Sequence, residues 1–206
     1  MTALAPSLAR PRQAASRVLV DALLVVAGSL LIAGLAQVSI LLPFTPVPIT
    51  GQTLGVLLVG ASFGLARAGL AIALYLVEGA IGLPFFAEGR SGLDVLGLAS
   101  ASGGYLWGFL AAGLLCGWLA ERGWDRSVRS SISLMLLGSV VIYLFGIPWL
   151  MQSDVYAGFL GHSPSLEEAL QGGLYPFVIG DLLKLAIAAG ILPAAWKLTG
   201  RDRPEE

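Results

Sequence analysis

One cysteine, one histidine and a charged-residue content of only 12% set the first limits on this 206-residue sequence. Cys116 has no second cysteine to pair with, so an intrachain disulfide or a cysteine-based metal site is excluded. His162 stands near Pro164 in a polar stretch, and there is no His-Glu-x-x-His pattern or other metal-binding cluster around it. No Gly-x-x-x-x-Gly-Lys-Ser/Thr phosphate loop occurs, so ATP hydrolysis by that route is not expected of these residues. A buried Ser, Lys and Asp could in principle form an intramembrane hydrolase, but without supporting motifs no enzymatic role and no cofactor are expected.

What the sequence does contain is apolar surface. Hydrophobic residues make up 56% of it, glycines number 27, and the mean hydropathy is +0.83, outside the balance of a water-soluble domain. Against the roughly 20 residues needed to cross the hydrocarbon, the apolar runs predict an all-α integral membrane protein. Six spans are expected: 18–42, 50–66, 68–83, 103–120, 130–150 and 174–197. The second and third are short and separated only by Leu65-Ala66-Arg67, which predicts a tight helical hairpin. Pro43, Pro46 and Pro48 are expected to end the first span, Pro84 the third and Pro148 the fifth. This divides the chain into an N-terminal tail (1–17), a six-helix substrate-binding domain (18–198) and a C-terminal tail (199–206).

Orientation follows from Lys and Arg. Placing both termini in the cytoplasm puts Arg10, Arg12, Arg17, Arg67, Arg122, Arg126, Arg129, Lys197, Arg201 and Arg203 inside, leaving Arg90 outside and Lys184 within the membrane. The arginines before the first span and Ala33-Gly-Leu-Ala36 at its end imitate a secretory signal peptide. The proline-rich outer-loop text that follows favours a retained span in the cell membrane.

Small residues recur every four positions on the fourth span: Gly104, Gly108, Ala112, Cys116 and Ala120. Gly60 and Gly64 repeat the spacing on the second. Such ridges let helix backbones approach closely where lipid supplies no hydrophobic drive, and internal packing is the favoured use. Ser29 and Ala33 give the first span a weaker version of the same pattern.

The most informative residues are Asp181 and Lys184. Three apart in an apolar helix, they share one face and can lower each other's cost of leaving water. An unpaired Asp or Lys at mid-bilayer is disfavoured by roughly 2.5 to 3.5 kcal/mol, so such residues usually line a substrate or ion path. Glu78 is a second intramembrane acid, at a depth from which it could join the same outward-facing pocket. The loop 84–102, with Glu88, Arg90 and Asp94, is sized to be a lid. Gly103 and Gly104 begin the fourth span and would offer free N–H groups to an anion. Phe86 and Tyr105 could cover an apolar ring, although interfacial anchoring explains aromatic residues here equally well.

Four segments taken together resemble a known family. Pro46-Val-Pro-Ile-Thr-Gly51-Gln52-Thr-Leu-Gly55, Gly82-Leu-Pro-Phe-Phe86-Ala87, Gly103-Gly104-Tyr105 and Gly180-Asp181-Leu-Leu-Lys184 are similar, in order, to the signatures of BioY. BioY is the biotin-binding S component of energy-coupling-factor (ECF) transporters. The resemblance implies high-affinity biotin capture for uptake, a membrane coupling subunit and paired cytoplasmic ATPases as partners, and Asp181 and Lys184 in the pocket. It also implies pocket-facing positions for Glu78 and Gln52, and Arg90 as a basic residue that closes the site. Ser29 and Ala33 are the candidate docking face for the coupling subunit. Ala101-Ser102 before Gly103 and Glu88-Gly-Arg90 in the loop depart from the family pattern. An S component for another vitamin, or a stand-alone proton-coupled carrier using Asp181 and Glu78 as relays, are the rival readings.

Overall fold

A computed structural model describes residue 4 and residues 14–198. The described elements are, in order, α1 (Ala14–Ala36), β1 (Ser39–Leu42), β2 (Thr45–Thr50), α2 (Gln52–Phe63), α3 (Leu65–Ala80), α4 (Gly103–Ala120), α5 (Val128–Gln152), α6 (Asp154–Leu160), α7 (Leu166–Gly173) and α8 (Val178–Leu198). Two 3-10 turns, Ala87–Gly89 and Leu93–Leu96, lie in the loop between α3 and α4. The tails expected at 1–17 and 199–206 lie mostly outside the described residues, as do Arg10, Arg12, Arg201 and Arg203. Residues 14–17, expected in the N-terminal tail, belong to α1.

Among the described residues, four helical segments are long and apolar enough to cross a membrane: Arg17–Ala36, Gly103–Ala120, Val128–Gln152 and Val178–Lys197. Apolar side chains also cover their outward faces. Leu19, Leu23, Val26 and Leu30 on α1 and Ile179, Leu183, Ile187 and Ile191 on α8 are exposed. Helices apolar on both the packed and the unpacked face suit a lipid surround. The pair α2 and α3 is shorter. At about 1.5 Å per residue, the 12 residues of α2 rise only about 18 Å. The chain turns between the two at Gly64, whose φ of 80° lies in the region that favours glycine.

The ridge of small residues on α4 packs inside the bundle, as expected. A side-chain carbon at Gly108 would lie 3.0 Å from the backbone of Ile142 on α5, and one at Gly60 would lie 2.8 Å from Cys116. Gly117 sits equally close to the Gly64–Leu65 backbone. Ser29 and Ala33 are buried in the bundle as well, at 0% and 5% exposure, on a helix that packs against α3 and α2. The structure therefore turns both inward, and the outward face of α1 is made by its larger apolar residues.

Two ends can be distinguished. At one, Arg67 pairs with Asp21 at 2.8 Å, Glu121 accepts from the Leu65 N–H at 2.9 Å, and Trp196 Nε1 donates to the fully buried Asp125 at 2.5 Å. At the other, Thr45 Oγ1 donates to the Gly172 carbonyl at 2.7 Å and the Asp154 N–H to the Leu98 carbonyl at 3.3 Å. This second end carries the β-hairpin, the 81–102 loop, α6 and α7.

The hairpin, the length of α5 and the short helix α7 also differ from the sequence expectation. The first helix stops at Ala36, and Ser39–Leu42 pairs antiparallel with Thr45–Thr50, with Ile40 opposite Ile49. Pro46 and Pro48 are two apart, so both missing N–H groups fall on the edge of β2 that a two-stranded ladder leaves free. Pro148 does not end α5, which runs on to Gln152; the Gln152 amide donates to the Pro148 carbonyl at 3.0 Å. Finally, α7 is fixed by a capping box in which Ser165 and Glu168 bond reciprocally. Those hydrogen bonds hold the Glu168 carboxyl below its ordinary range, with nearby His162 adding to the effect.

Candidate functional site

The hairpin, α2, α4, α5 and α8 surround a cavity at the hairpin end of the bundle. It spans about 480 Å³ of space between side chains, part of it open to solvent. Val47 and Pro48 form one wall, Leu106, Phe109 and Ile142 another, and Phe177 lies beside Asp181. Convergent polar groups come from Thr50, Gln52, Thr53, Ser102, Tyr105, Tyr143, Asp181 and Lys184.

Asp181 and Lys184 meet as their spacing predicts. Lys184 Nζ lies 3.1 Å from Asp181 Oδ1 and also donates to Thr53 Oγ1 at 2.8 Å, tying α8 to α2. The other carboxylate oxygen accepts from the Tyr143 hydroxyl. Both charged side chains are only about 15% exposed. Asp181 lies in the first turn of α8 because the helix starts at Val178, not Leu174. The helix dipole therefore favours the carboxylate, and the pair sits nearer the end of the bundle than a mid-bilayer placement requires.

Gln52 opens α2 and is buried. Its amide donates to Tyr75 at 2.5 Å, and its carbonyl accepts from Thr50 at 2.9 Å. Tyr75 in turn meets Phe86 edge to face at 5.7 Å. Tyr105 lines the cavity, donating to the Gly173 carbonyl at 2.8 Å and standing edge to face with Tyr143. Phe86 and Tyr75 are thus core residues, not interfacial anchors.

A second chamber of about 260 Å³ adjoins the first. Pro48, Gln52, Ser102 and Leu106 line both, and Phe86, Ala87, Val95 and Arg90 complete the second. Arg90 forms no ion pair and no side-chain hydrogen bond with the described residues. The composite space is therefore polar and charge-paired at one end and cationic at the other.

Other expected site residues lie elsewhere. Glu78 does not line either chamber; it accepts a hydrogen bond from Ser29 on α1. Gly103 and Gly104 provide clearance for Trp149, whose indole a side-chain carbon at either position would strike. Gly60-Ala61-Ser62-Phe63-Gly64 has the spacing of a nucleophile elbow, but it lies at the end of helix α2, without the strand-to-helix turn that exposes such a serine. Tyr143, Thr53, Thr50 and Phe177 were not expected in the site. The signal available for Tyr143 was a phenol inside an otherwise apolar span.

A helical membrane protein with a cavity near one end, lined by convergent polar groups and a buried ion pair, is the class that this fold and site define. A model of the BioY family matches residues 9–201. The chain belongs to the BioY family. It is 36% identical over 155 residues to the biotin transporter BioY of Rhizobium etli, covering 72% of this chain and 77% of that one. The biotin transporter BioY of Thermotoga maritima is 34% identical over 148 residues, covering 72% and 80%. Among solved structures, the fold matches the S-component for biotin from an ECF-type ABC transporter with a TM-score of 0.75 at 23% identity, covering 91% and 95%.

Proposed function

We propose that this protein captures biotin outside the cell and delivers it for uptake as the membrane-embedded S component of an ECF-type transporter. The observation that carries the reading is the pairing of Asp181 and Lys184 inside a cavity that continues to a free arginine. Biotin has a ureido ring with two N–H donors and a carbonyl, an apolar thiophane ring, and a carboxylate on a four-carbon tail. The Asp181 carboxylate accepts from a ureido N–H and Lys184 donates to the ureido carbonyl. The thiophane lies among Leu106, Phe109 and Phe177, and the tail runs past Pro48 and Gln52 to Arg90. Arg90 takes the carboxylate because the Lys184 ammonium is already held by Asp181 and Thr53.

Six spans, α1 to α5 and α8, cross the membrane in this reading, with both termini in the cytoplasm. Among the described residues Arg17, Arg67, Arg122, Arg126, Arg129 and Lys197 lie at the end away from the hairpin, and Arg90 at the hairpin end, which supports that orientation. The protein is a binding component and not an enzyme. A coupling subunit and paired cytoplasmic ATPases supply the energy, as the family resemblance implies; the fold neighbour belongs to an ECF-type ABC transporter, and these 206 residues contain no phosphate loop.

Calorimetric titration of the purified protein with biotin, thiamine and riboflavin tests the reading. Saturable binding of biotin alone is expected, and binding of another vitamin without biotin would overturn it. Within the same reading, Arg90→Ala should weaken biotin binding by about 1.5 to 3 kcal/mol, the range for a hydrogen bond to a charged group. It should also remove the preference for biotin over biotin methyl ester. An Arg90→Ala protein that still prefers the free acid would place the carboxylate elsewhere.

A further inference from the structure

We propose that Gln37 is a positioning residue that straps the lid segment 82–92 to the end of α1, so that ligand release and displacement of α1 are one motion. The inference rests on the biotin-binding reading for its release measurement, but not for its geometry. Gln37 follows the last residue of α1, and its amide nitrogen faces only carbonyl oxygens. It lies 3.1 Å from Ala33 O in its own helix and 3.3, 3.5 and 3.3 Å from the carbonyls of Pro84, Phe85 and Phe86. A single amide thus spans three consecutive residues of the loop. Four oxygens around one nitrogen leave no acceptor role for that atom, so the donor chemistry is specified by the site.

The strapped segment is the one that shapes the outer chamber. Phe86 is 1% exposed, with its ring over Gly79, where a side-chain carbon would fall 2.3 Å from it. Backbone bonds fold the segment and tie it to the end of α3, among them Phe86 N–H to Arg90 O at 3.1 Å, Leu83 N–H to Glu78 O at 3.1 Å and Gly92 N–H to Gly79 O at 2.8 Å; none of them reaches α1. The segment also turns sharply and carries strain. Gly82, Glu88, Gly89 and Gly92 all have positive φ, and at Glu88, with φ of 63°, the side chain makes that conformation costly. Such a loop needs ties to hold it, and the tie to α1 comes from Gln37. The seam between α1 and α3 is joined further along by Ser29 with Glu78 and by Arg67 with Asp21. Moving α1 therefore pulls the carbonyls that place Phe86, and with them Arg90.

Two variants separate a strap from a mere surface contact. Gln37→Leu keeps bulk and removes both donors; Gln37→Glu sets a carboxylate against the same carbonyls. Biotin dissociation from the purified protein, followed by chase with unlabelled biotin, should quicken by roughly five- to tenfold in Gln37→Leu, the scale of one net hydrogen bond, and further in Gln37→Glu. The association rate should stay within about twofold. In parallel, Ala87→Cys places a thiol in the outer chamber, while the native Cys116 is fully buried. Maleimide labelling at 87 should be faster with either Gln37 variant, with and without biotin. Variants that melt at a lower temperature yet release biotin and label at the wild-type rate would overturn the proposal, as would wild-type values throughout. If the protein does not bind biotin at all, the function reading fails, and the ligand-free labelling rate still decides the strap.

Discussion

Asp181→Ala and Lys184→Ala should each weaken biotin binding by about 1 to 3 kcal/mol, or roughly 5- to 150-fold. Each charge satisfies the other in a site where both are mostly withdrawn from solvent, and each also holds a neutral partner: Tyr143 for the acid, Thr53 for the base. Removing one leaves the other buried and unmatched, as well as taking away a contact to the ureido group. The two losses are not independent. A double variant should cost less than the sum of the singles, because the second removal relieves the charge stranded by the first. Titrations of the wild type, both singles and the double in the same detergent would measure this. Wild-type affinity in both singles would reduce the pair to a helix staple.

The second large effect concerns folding. Gly104→Leu should destabilise the bundle by about 1 to 3 kcal/mol or more, the usual range for forcing extra atoms into a packed core. Even the first added carbon would lie 2.2 Å from Trp149 Cβ and 2.7 Å from the Phe145 carbonyl, so α4 and α5 would have to separate. Trp149 cannot yield easily, since its indole N–H is bonded to the Ser100 carbonyl at 3.1 Å. Gly190→Leu is the matched control, with nothing within 4 Å of an added carbon. Thermal unfolding in detergent should show a clear drop for the first and almost none for the second. Equal melting temperatures would contradict the packing assigned to Gly104.

The helices and the acid–base pair were legible because each has a one-dimensional signature. Apolar runs delimit helices, and a spacing of three places Asp181 beside Lys184 whatever surrounds them. The hairpin was hidden because prolines commonly end helices, and their tolerance on a free strand edge shows only once the partner strand is known. Glu78 was assigned to the pocket on its depth and on the family resemblance. Tyr75 and Glu78 are three residues apart and lie about 60° apart around α3, enough for one to meet Gln52 and the other Ser29 on α1. Gly103 and Gly104 look alike as anion cradles and as clearances for an indole, and only the position of Trp149 decides between them. Phe177, just before α8, joins Thr50 and Thr53 from far along the chain, a juxtaposition that no local spacing encodes.

Crystals of the protein grown with biotin offer the most direct test, read through anomalous scattering from the ligand's sulfur. The account predicts a sulfur peak inside the cavity between Leu106, Phe109 and Phe177, with the ureido ring toward Asp181 and Lys184 and the carboxylate toward Arg90. A sulfur peak outside this cavity, or a ligand with its carboxylate on Lys184 and its ring beneath Arg90, would contradict it.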